Sequence, residues 1–106
     1  MRIEVLHVPN CPNYAVVREL LHETLANDCL QADISEVLVR SLAMAQSLKF
    51  PGSPTIRING HDVEPQNEKT ASFGLMCRLY ADGNGTPSRD KLRDAIRRAR
   101  DWEFLE

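Results

Sequence analysis

The sequence predicts an α/β fold in which four strands form one mixed sheet with helices on both faces. A short apolar segment, an amphipathic stretch and a second β-branched segment follow one another in residues 2–39, which is the pattern of a right-handed βαβ unit. Asn59-Gly60 separates two short β-type segments and is the strongest short hairpin signal, because both residues tolerate positive φ. An amphipathic helix follows near the end. The order β-α-β-α-β-β-α is satisfied by a sheet with strand order 2-1-3-4.

The first half of the chain supplies two strands and two helices. Residues 2–8 are predicted as the central strand, because apolar side chains fall on both of its faces. The first helix is expected to begin at Pro12, which fits a first helical turn, and to end at Asn27-Asp28. Residues 30–39 form the second strand, and Ser41 caps a second helix.

The second half supplies the hairpin and the last helix. Residues 55–58 are the third strand, residues 61–64 pair back against it, and Pro65 ends the pairing. Residues 66–86 are less regular, with an apolar stretch at 75–80. Ser88 caps the last helix, whose inward residues are expected to be Leu92, Ala95, Ile96, Ala99 and Trp102, with Arg89, Arg93, Arg97 and Arg100 in solvent.

Composition excludes several classes of protein. A chain of 106 residues, 42% hydrophobic and 26% charged, has the size and composition of a single domain, residues 1–106. Thirteen Lys and Arg against fifteen Asp and Glu give a net charge of −2, which argues against nucleic acid as a partner. No apolar run approaches the roughly 20 residues of a membrane span, and no signal peptide is evident, so no membrane partner is expected.

The cysteines indicate a reducing environment. Cys11, Cys29 and Cys77 are odd in number and lie far apart in the sequence, unlike the cysteines of a secreted disulfide scaffold. This usage predicts a cytoplasmic protein. No two of them stand at zinc-finger spacing, so neither structural zinc nor another cofactor is expected. We expect a monomer or a weak dimer.

Cys11 is the first candidate for chemistry. It follows the central strand and is expected at the N-cap of the first helix, where unpaired N–H groups favour an anion. The thiolate is the nucleophilic and soft-metal-binding form of cysteine, and ligands in α/β sheets bind at the carboxyl ends of strands. The alternative is a small buried cysteine that only fills space.

Ser53-Pro54-Thr55 is the second candidate element. A proline that opens an internal strand is unusual, because it gives up a donor of the ladder. If the Ser53–Pro54 bond is cis, the third strand begins at the same rim as Cys11.

Together these two motifs resemble the thioredoxin-like superfamily. Cys11-Pro12-Asn13-Tyr14 follows a strand and Gly52-Ser53-Pro54-Thr55 precedes a hairpin, and the likeness in element order covers the whole chain. The resemblance implies that Cys11 is the attacking cysteine of a CxxC motif. It implies that Pro54 is the cis-proline that packs against this cysteine and presents backbone to a bound peptide or thiol. Substrate contacts are then expected from Pro12, Tyr14, Ser53, Pro54 and Thr55.

More narrowly, the chain is similar to small bacterial thioredoxin-like proteins with CPN-x, GSPT and a later CR-x-Y, some of which are labelled alkylmercury lyase. Tyr14 stands where the superfamily has its second cysteine, so exchange within one CxxC motif is impossible here. The Ser of the CGFS motif and the Gly-Gly stretch with which glutaredoxins bind glutathione are absent as well, and Asn59-Gly-His-Asp62 is only loosely similar to that stretch. Glutathione binding is therefore left open.

Cys77 offers a replacement for the missing cysteine. The hairpin returns residue 65 to the rim, so the segment that holds Cys77 is expected to start near Cys11. Cys77 is then a resolving cysteine or a second metal ligand, with Arg78 as partner of a thiolate or an acidic group. The alternative is that Leu75, Cys77 and Leu79 are core positions of a fourth strand.

Other polar residues have weaker functional interpretations. His7 is an acid or base toward the thiol, or a satisfied residue of the core or rim. Tyr14 hydrogen-bonds a thiolate or covers it. Cys29, at the far end of the first helix, is expected to be structural. His61 and Asp62 are expected to face solvent. Arg57 is expected to lie on an open face near the sheet edge or to pair with a carboxylate such as Glu4.

Three functions follow from these residues. The first is thiol–disulfide exchange, in which Cys11 attacks a protein or low-molecular-weight disulfide and Cys77 or an external thiol resolves the adduct. The second is binding of a soft metal or organometal such as Hg(II) or Cu(I) by Cys11 and Cys77. The third is a non-catalytic binding module in which Tyr14 marks lost chemistry.

Overall fold

The elements follow the predicted order. A computed structural model describes residues 1–66 and 72–105, the side chains among these up to Glu103. The elements within them are β1 (Arg2–His7), α1 (Tyr14–Asn27), β2 (Asp33–Leu38), α2 (Leu42–Ser47), β3 (Thr55–Ile58), β4 (His61–Asp62) and α3 (Arg89–Leu105).

β1 is the central strand, as its two apolar faces predict. The sheet has the order β2-β1-β3-β4. β1 runs parallel to β2 and antiparallel to β3, with Leu6 opposite Thr55, and β3 pairs antiparallel with β4. Because β1 and β3 are antiparallel, the end of β1 and the start of β3 lie at the same edge of the sheet. This arrangement brings the loop with Cys11 and the Ser53-Pro54 junction to one end of the molecule.

Each face of the sheet has its own hydrophobic cluster. The larger cluster joins Ile3 and Val5 of β1 to α1 and α3, through residues that include Val17, Leu21, Leu25, Leu92 and Ile96. The smaller cluster joins Leu6 to α2 through Val39, Ala45 and Phe50. Burial of each such large apolar side chain stabilises the fold by about 1.5–3 kcal/mol. Helices therefore cover both faces, as predicted.

Turn and cap residues act where the sequence places them. The Ser41 hydroxyl accepts the N–H of Met44 at 3.1 Å, and the Ser88 hydroxyl accepts the N–H of Lys91 at 3.2 Å, so both cap their helices. Asn59 and Gly60 have φ of 51° and 85°, which is the conformation of a type I′ hairpin turn.

β4 is shorter than the predicted 61–64 pairing. The Asp62 carboxylate accepts the backbone N–H of Glu64 at 2.9 Å. This local bond ends the strand pairing after two residues, although the Val63 N–H still donates to the Ile56 carbonyl of β3 at 3.0 Å.

α3 departs from expectation only at its end. Leu92, Ala95 and Ile96 are buried, but Trp102 is 66% exposed. The prediction that Trp102 points inward is wrong, because it lies in an open groove beside the hairpin. The solvent face is confirmed, since the side chains of its four arginines are each at least 39% exposed. They pair with carboxylates: Arg89 with Glu23, Arg93 with Asp90, Arg97 with Asp28 and Arg100 with Asp101. Within residues 1–66 and 72–105, no helix has the length and apolarity to cross a membrane.

Candidate functional site

The junction that opens β3 is tied to the end of β1. The Ser53–Pro54 peptide bond is cis, and both residues are buried. The Ser53 hydroxyl accepts the backbone N–H of Val8 at 3.1 Å. The cis junction is therefore bonded to the residue that follows β1, three positions before Cys11.

Cys11 lies farther from the helix than expected. α1 begins at Tyr14, and its N-cap is Asn13, which makes no side-chain cap bond. The expected N-cap at Cys11 and helical turn at Pro12 are therefore wrong. A turn closed by the Tyr14 N–H on the Cys11 carbonyl at 3.3 Å intervenes, after Asn10 in the left-handed region with φ of 62°. The Cys11 thiol is free and partly exposed.

Cys77 is held beside the cis junction by backbone bonds. The Ser53 N–H donates to the Met76 carbonyl at 2.8 Å, and the Arg78 N–H donates to the Ser53 carbonyl at 3.0 Å. These two bonds form an isolated parallel bridge in which Cys77 is the partner of Ser53. The thiol of Cys77 is free and exposed.

The fourth-strand alternative for Cys77 is wrong. Leu75 and Leu79 are 48% and 72% exposed, and the edge strand of the sheet is β4. The buried positions of this stretch are instead Arg78 and Tyr80, each 3% exposed. The Ser53 bridge pairs the backbone of this segment with the cis junction, and the side-chain partners of Arg78 and Tyr80 decide which of its positions are buried.

The Arg78 guanidinium is held inside the protein by hydrogen bonds to four oxygen atoms. Nη1 donates to Asp62 Oδ2 at 2.9 Å and to Thr55 Oγ1 at 3.1 Å, and Nη2 donates to Asp62 Oδ1 at 3.0 Å and to the Glu64 carbonyl at 2.6 Å. The Asp62 side chain is 15% exposed, so the expectation that Asp62 faces solvent is wrong, whereas His61 is exposed as predicted. The acidic partner of Arg78 is this carboxylate.

Tyr80 connects Arg78 to the cis junction. Its hydroxyl donates to the Pro54 carbonyl at 2.6 Å, and the Arg78 guanidinium carbon lies 4.4 Å from its ring centroid. Burial raises the pKa of Tyr80 far above its usual value, against the opposing charge of Arg78.

Tyr14 is turned toward β2. Its ring stacks on His7 with centroids 4.0 Å apart, and its hydroxyl donates to the Glu36 carboxylate. His7 is buried, its Nδ1 bonds the Val8 carbonyl at 3.1 Å, and its Nε2 lies 3.8 Å from Glu36 Oε1. His7 thus lies at the rim but is not fully satisfied there, because its buried Nε2 has no hydrogen-bond partner among the described residues. The hydroxyl of Tyr14 is engaged by a carboxylate.

Two other residues have structural roles. Arg57 Nη2 donates to the carbonyls of Leu48 and Lys49 at 2.6 and 3.1 Å, so this guanidinium binds the end of α2 in place of the expected carboxylate. Cys29 lies at the end of α1, as its structural interpretation requires, and its exposed thiol is free.

Sequence reasoning missed the buried Arg78–Asp62 pair and the anchoring of Tyr80 on Pro54. The alternation in Cys77-Arg78-Leu79-Tyr80 gave no usable signal, because it marks the face of Cys77 and Leu79 as apolar, whereas the buried face holds Arg78 and Tyr80. Within the described residues, no group of three or more His, Cys, Asp or Glu side chains is arranged to hold a metal ion. Comparison of the chain with family models, curated proteins and solved structures finds no significant match to any of them.

Proposed function

We propose that this chain is an atypical thioredoxin-like protein that carries out thiol–disulfide exchange through Cys11, with Cys77 as the resolving cysteine. The observation that carries the proposal is the bridge between Cys77 and Ser53. It puts a second free, exposed thiol beside the junction that is bonded to the end of β1. The bridge supports the proposal that the two thiols meet at one end of the sheet, although 66 positions separate them in the numbering.

The proposed exchange proceeds in two balanced steps. The Cys11 thiolate attacks one sulfur of a disulfide, RS–SR′, forming a Cys11–SR bond while R′S⁻ leaves with the electron pair and takes a proton from water. The Cys77 thiolate then attacks the Cys11 sulfur and expels RS⁻. The substrate gains two electrons, and the protein is left with a Cys11–Cys77 disulfide. An external dithiol reduces this disulfide and restores both thiols, as a reducing compartment such as the cytoplasm would allow.

Substrate contact is proposed for the residues that border Cys11 and the junction. Pro12 is exposed and next to Cys11, whereas Ser53, Pro54 and Thr55 are buried and act by holding the junction. Tyr14 replaces the second cysteine and is held by Glu36. The proposed substrate is therefore a disulfide that reaches the exposed side of Cys11.

The test is disulfide mapping after oxidation. The chain is oxidised with hydroxyethyl disulfide, its remaining thiols are alkylated, and its peptides are identified by mass spectrometry. We expect a Cys11–Cys77 disulfide that a dithiol reverses. The Cys77→Ser variant should instead accumulate a mixed disulfide on Cys11. Cys29→Ser is the matched control and should behave as the wild type. Absence of the Cys11–Cys77 bond in the wild type would refute the proposal.

A soft-metal function is the second candidate, because Cys11 and Cys77 are both free and accessible to solvent. Thiolates prefer Hg(II) or Cu(I) over hard cations. Titration with Hg(II) separates the two candidates. Tight uptake that Cys77→Ser abolishes, in a protein that forms no reversible Cys11–Cys77 disulfide, would favour metal binding over exchange.

A further inference from the structure

Cys77 is positioned by its neighbour in sequence. The backbone N–H of Arg78 is one of the two donors of the bridge to Ser53, so wherever the Arg78 backbone is fixed, Cys77 is fixed with it. The side chain of Arg78 is the most constrained group of this segment, since it is 3% exposed and is bonded to three residues of the hairpin region: Thr55, Asp62 and Glu64.

A buried guanidinium keeps its position because moving away from its hydrogen-bond partners would leave its charge buried and unpaired. An unpaired charge inside a protein loses its hydration without compensation, so the segment cannot shift without breaking the bidentate pair with Asp62. Asp62 itself stands on β4 opposite Arg57 and is fixed by the sheet. The same region also holds the next turn, because Glu64 Oε1 accepts the N–H of Ala81 at 2.6 Å.

We propose that Asp62 and Arg78 form the positioning device of the resolving step: their ion pair holds the Cys77 backbone against Ser53 and so presents its thiol to the adduct on Cys11. This inference rests on the proposed exchange function. Attack by Cys11 on an external disulfide does not involve the pair. Resolution does, since an intramolecular attack depends on how closely the second thiol is held in a productive position. The ion pair therefore affects resolution by Cys77 and leaves the attack by Cys11 unchanged.

The test separates these two steps in the Asp62→Asn variant. The rate at which Cys11 forms a mixed disulfide is measured in the Cys77→Ser background, with and without Asp62→Asn. The rate at which the mixed disulfide becomes the Cys11–Cys77 disulfide is measured with Cys77 present. We expect attack to change by less than about twofold and resolution to fall by roughly tenfold or more. The Asp62→Glu variant keeps the charge and should resolve faster than Asp62→Asn.

The Asp28→Asn variant is the matched control. Asp28 also forms a bidentate contact with an arginine, accepting from Nε and Nη2 of Arg97 at 2.9 and 3.0 Å, in an exposed pair that joins the end of α1 to α3. Its loss should leave both rates as in the wild type. If Asp62→Asn does not fold, Thr55→Val removes one acceptor of Arg78, together with the bond that the Thr55 hydroxyl donates to the Gly52 carbonyl at 2.7 Å, and should slow resolution by a smaller factor.

The outcomes distinguish the two proposals. A wild-type chain that forms no Cys11–Cys77 disulfide overturns the exchange function and this inference with it. A wild-type chain that forms the disulfide, with Asp62→Asn or Thr55→Val resolving at the wild-type rate, overturns the positioning role alone. Equal loss of both rates in Asp62→Asn also overturns it, because a selective effect on resolution is what the geometry requires.

Discussion

Gly52 lies directly against Arg78. A Cβ built on Gly52 would come within 2.9 Å of the Arg78 Cβ and 3.0 Å of its Cα, and Gly52 has a φ of +144°. Both the close approach and the backbone conformation exclude a side chain at this position. The glycine before Ser53 is therefore what allows the Cys77 segment to pack against the cis junction.

The Gly52→Ala variant should be destabilised by about 2 kcal/mol or more, because an unfavourable φ and a clash with backbone add together. Urea unfolding measures this change. Gly83→Ala is the matched control, since Gly83 also has a positive φ of +84° but nothing within 4 Å of its built Cβ. The control should lose only about 1 kcal/mol. Equal losses in the two variants would show that the contact with Arg78 is unimportant.

Local patterns in the sequence were sufficient to predict most of the fold. The turn at Asn59-Gly60 and the caps at Ser41 and Ser88 involve only residues that are neighbours in the sequence. The local sequence is therefore enough to predict them. The apolar faces of residues 2–8 likewise identify the central strand, because the period of two is a property of the strand itself.

The candidate site was predicted only in part, since its contacts join distant residues. Arg78 meets Asp62 sixteen positions away, across a stretch with no regular period, and no local signal encodes that encounter. The start of α1 was misplaced for a related reason. Proline is compatible with a first helical turn and with the turn before it, and the sequence does not distinguish these.

The Tyr80→Phe variant should lose stability at neutral pH. It removes the donor to the Pro54 carbonyl, a buried bond whose loss costs about 1–2 kcal/mol. Urea unfolding at pH 7 measures the difference from the wild type. An unchanged free energy of unfolding would mean that this bond does not hold the segment to the junction.

The stability difference between Tyr80→Phe and the wild type should also depend on pH in the alkaline range. Burial raises the pKa of Tyr80 in the folded state above the ordinary value of 10.0. The stabilisation that comes from the neutral phenol is therefore complete below pH 10 and is lost as the pH rises above it, because the unfolded state then releases a proton that the folded state retains. Phenylalanine has no such proton. The amount by which the free energy of unfolding of Tyr80→Phe falls below that of the wild type should therefore shrink between pH 9 and pH 11. A constant deficit would contradict the assignment.

The Asp28→Asn variant should reveal an acid-dependent contribution. The hydrogen bond from Arg97 lowers the pKa of Asp28 below its usual 3.8. The stabilisation is thus present above pH 3.8 and is lost as the pH falls through the lower folded-state value. The wild type should be slightly more stable than the variant at pH 7 and should lose that advantage toward pH 2. Since the pair is exposed, the advantage should also weaken in 1 M salt. A stability advantage of the wild type that persists at pH 2 would show that the ionised Asp28 carboxylate is not its source.

Cys29 occupies a backbone position that suits glycine. Its N–H bonds the Ala26 carbonyl at 3.1 Å and the Leu30 N–H bonds the Leu25 carbonyl at 2.9 Å, which is the double bond pattern of a Schellman cap. Cys29 supplies the left-handed residue of this cap with φ of 53°.

The Cys29→Gly variant should therefore be more stable than the wild type by roughly 0.5–1 kcal/mol, because relief of the left-handed strain exceeds the added chain entropy of glycine. Urea unfolding under reducing conditions measures the gain. Cys29→Ala removes the same thiol but keeps the strained φ, and should gain nothing. If the two variants are equally stable, the cap geometry is not the cause. Because Cys29 has no part in the proposed exchange, both variants should still form the Cys11–Cys77 disulfide at the wild-type rate, so the thiol at the end of α1 is separable from the two at the cis junction.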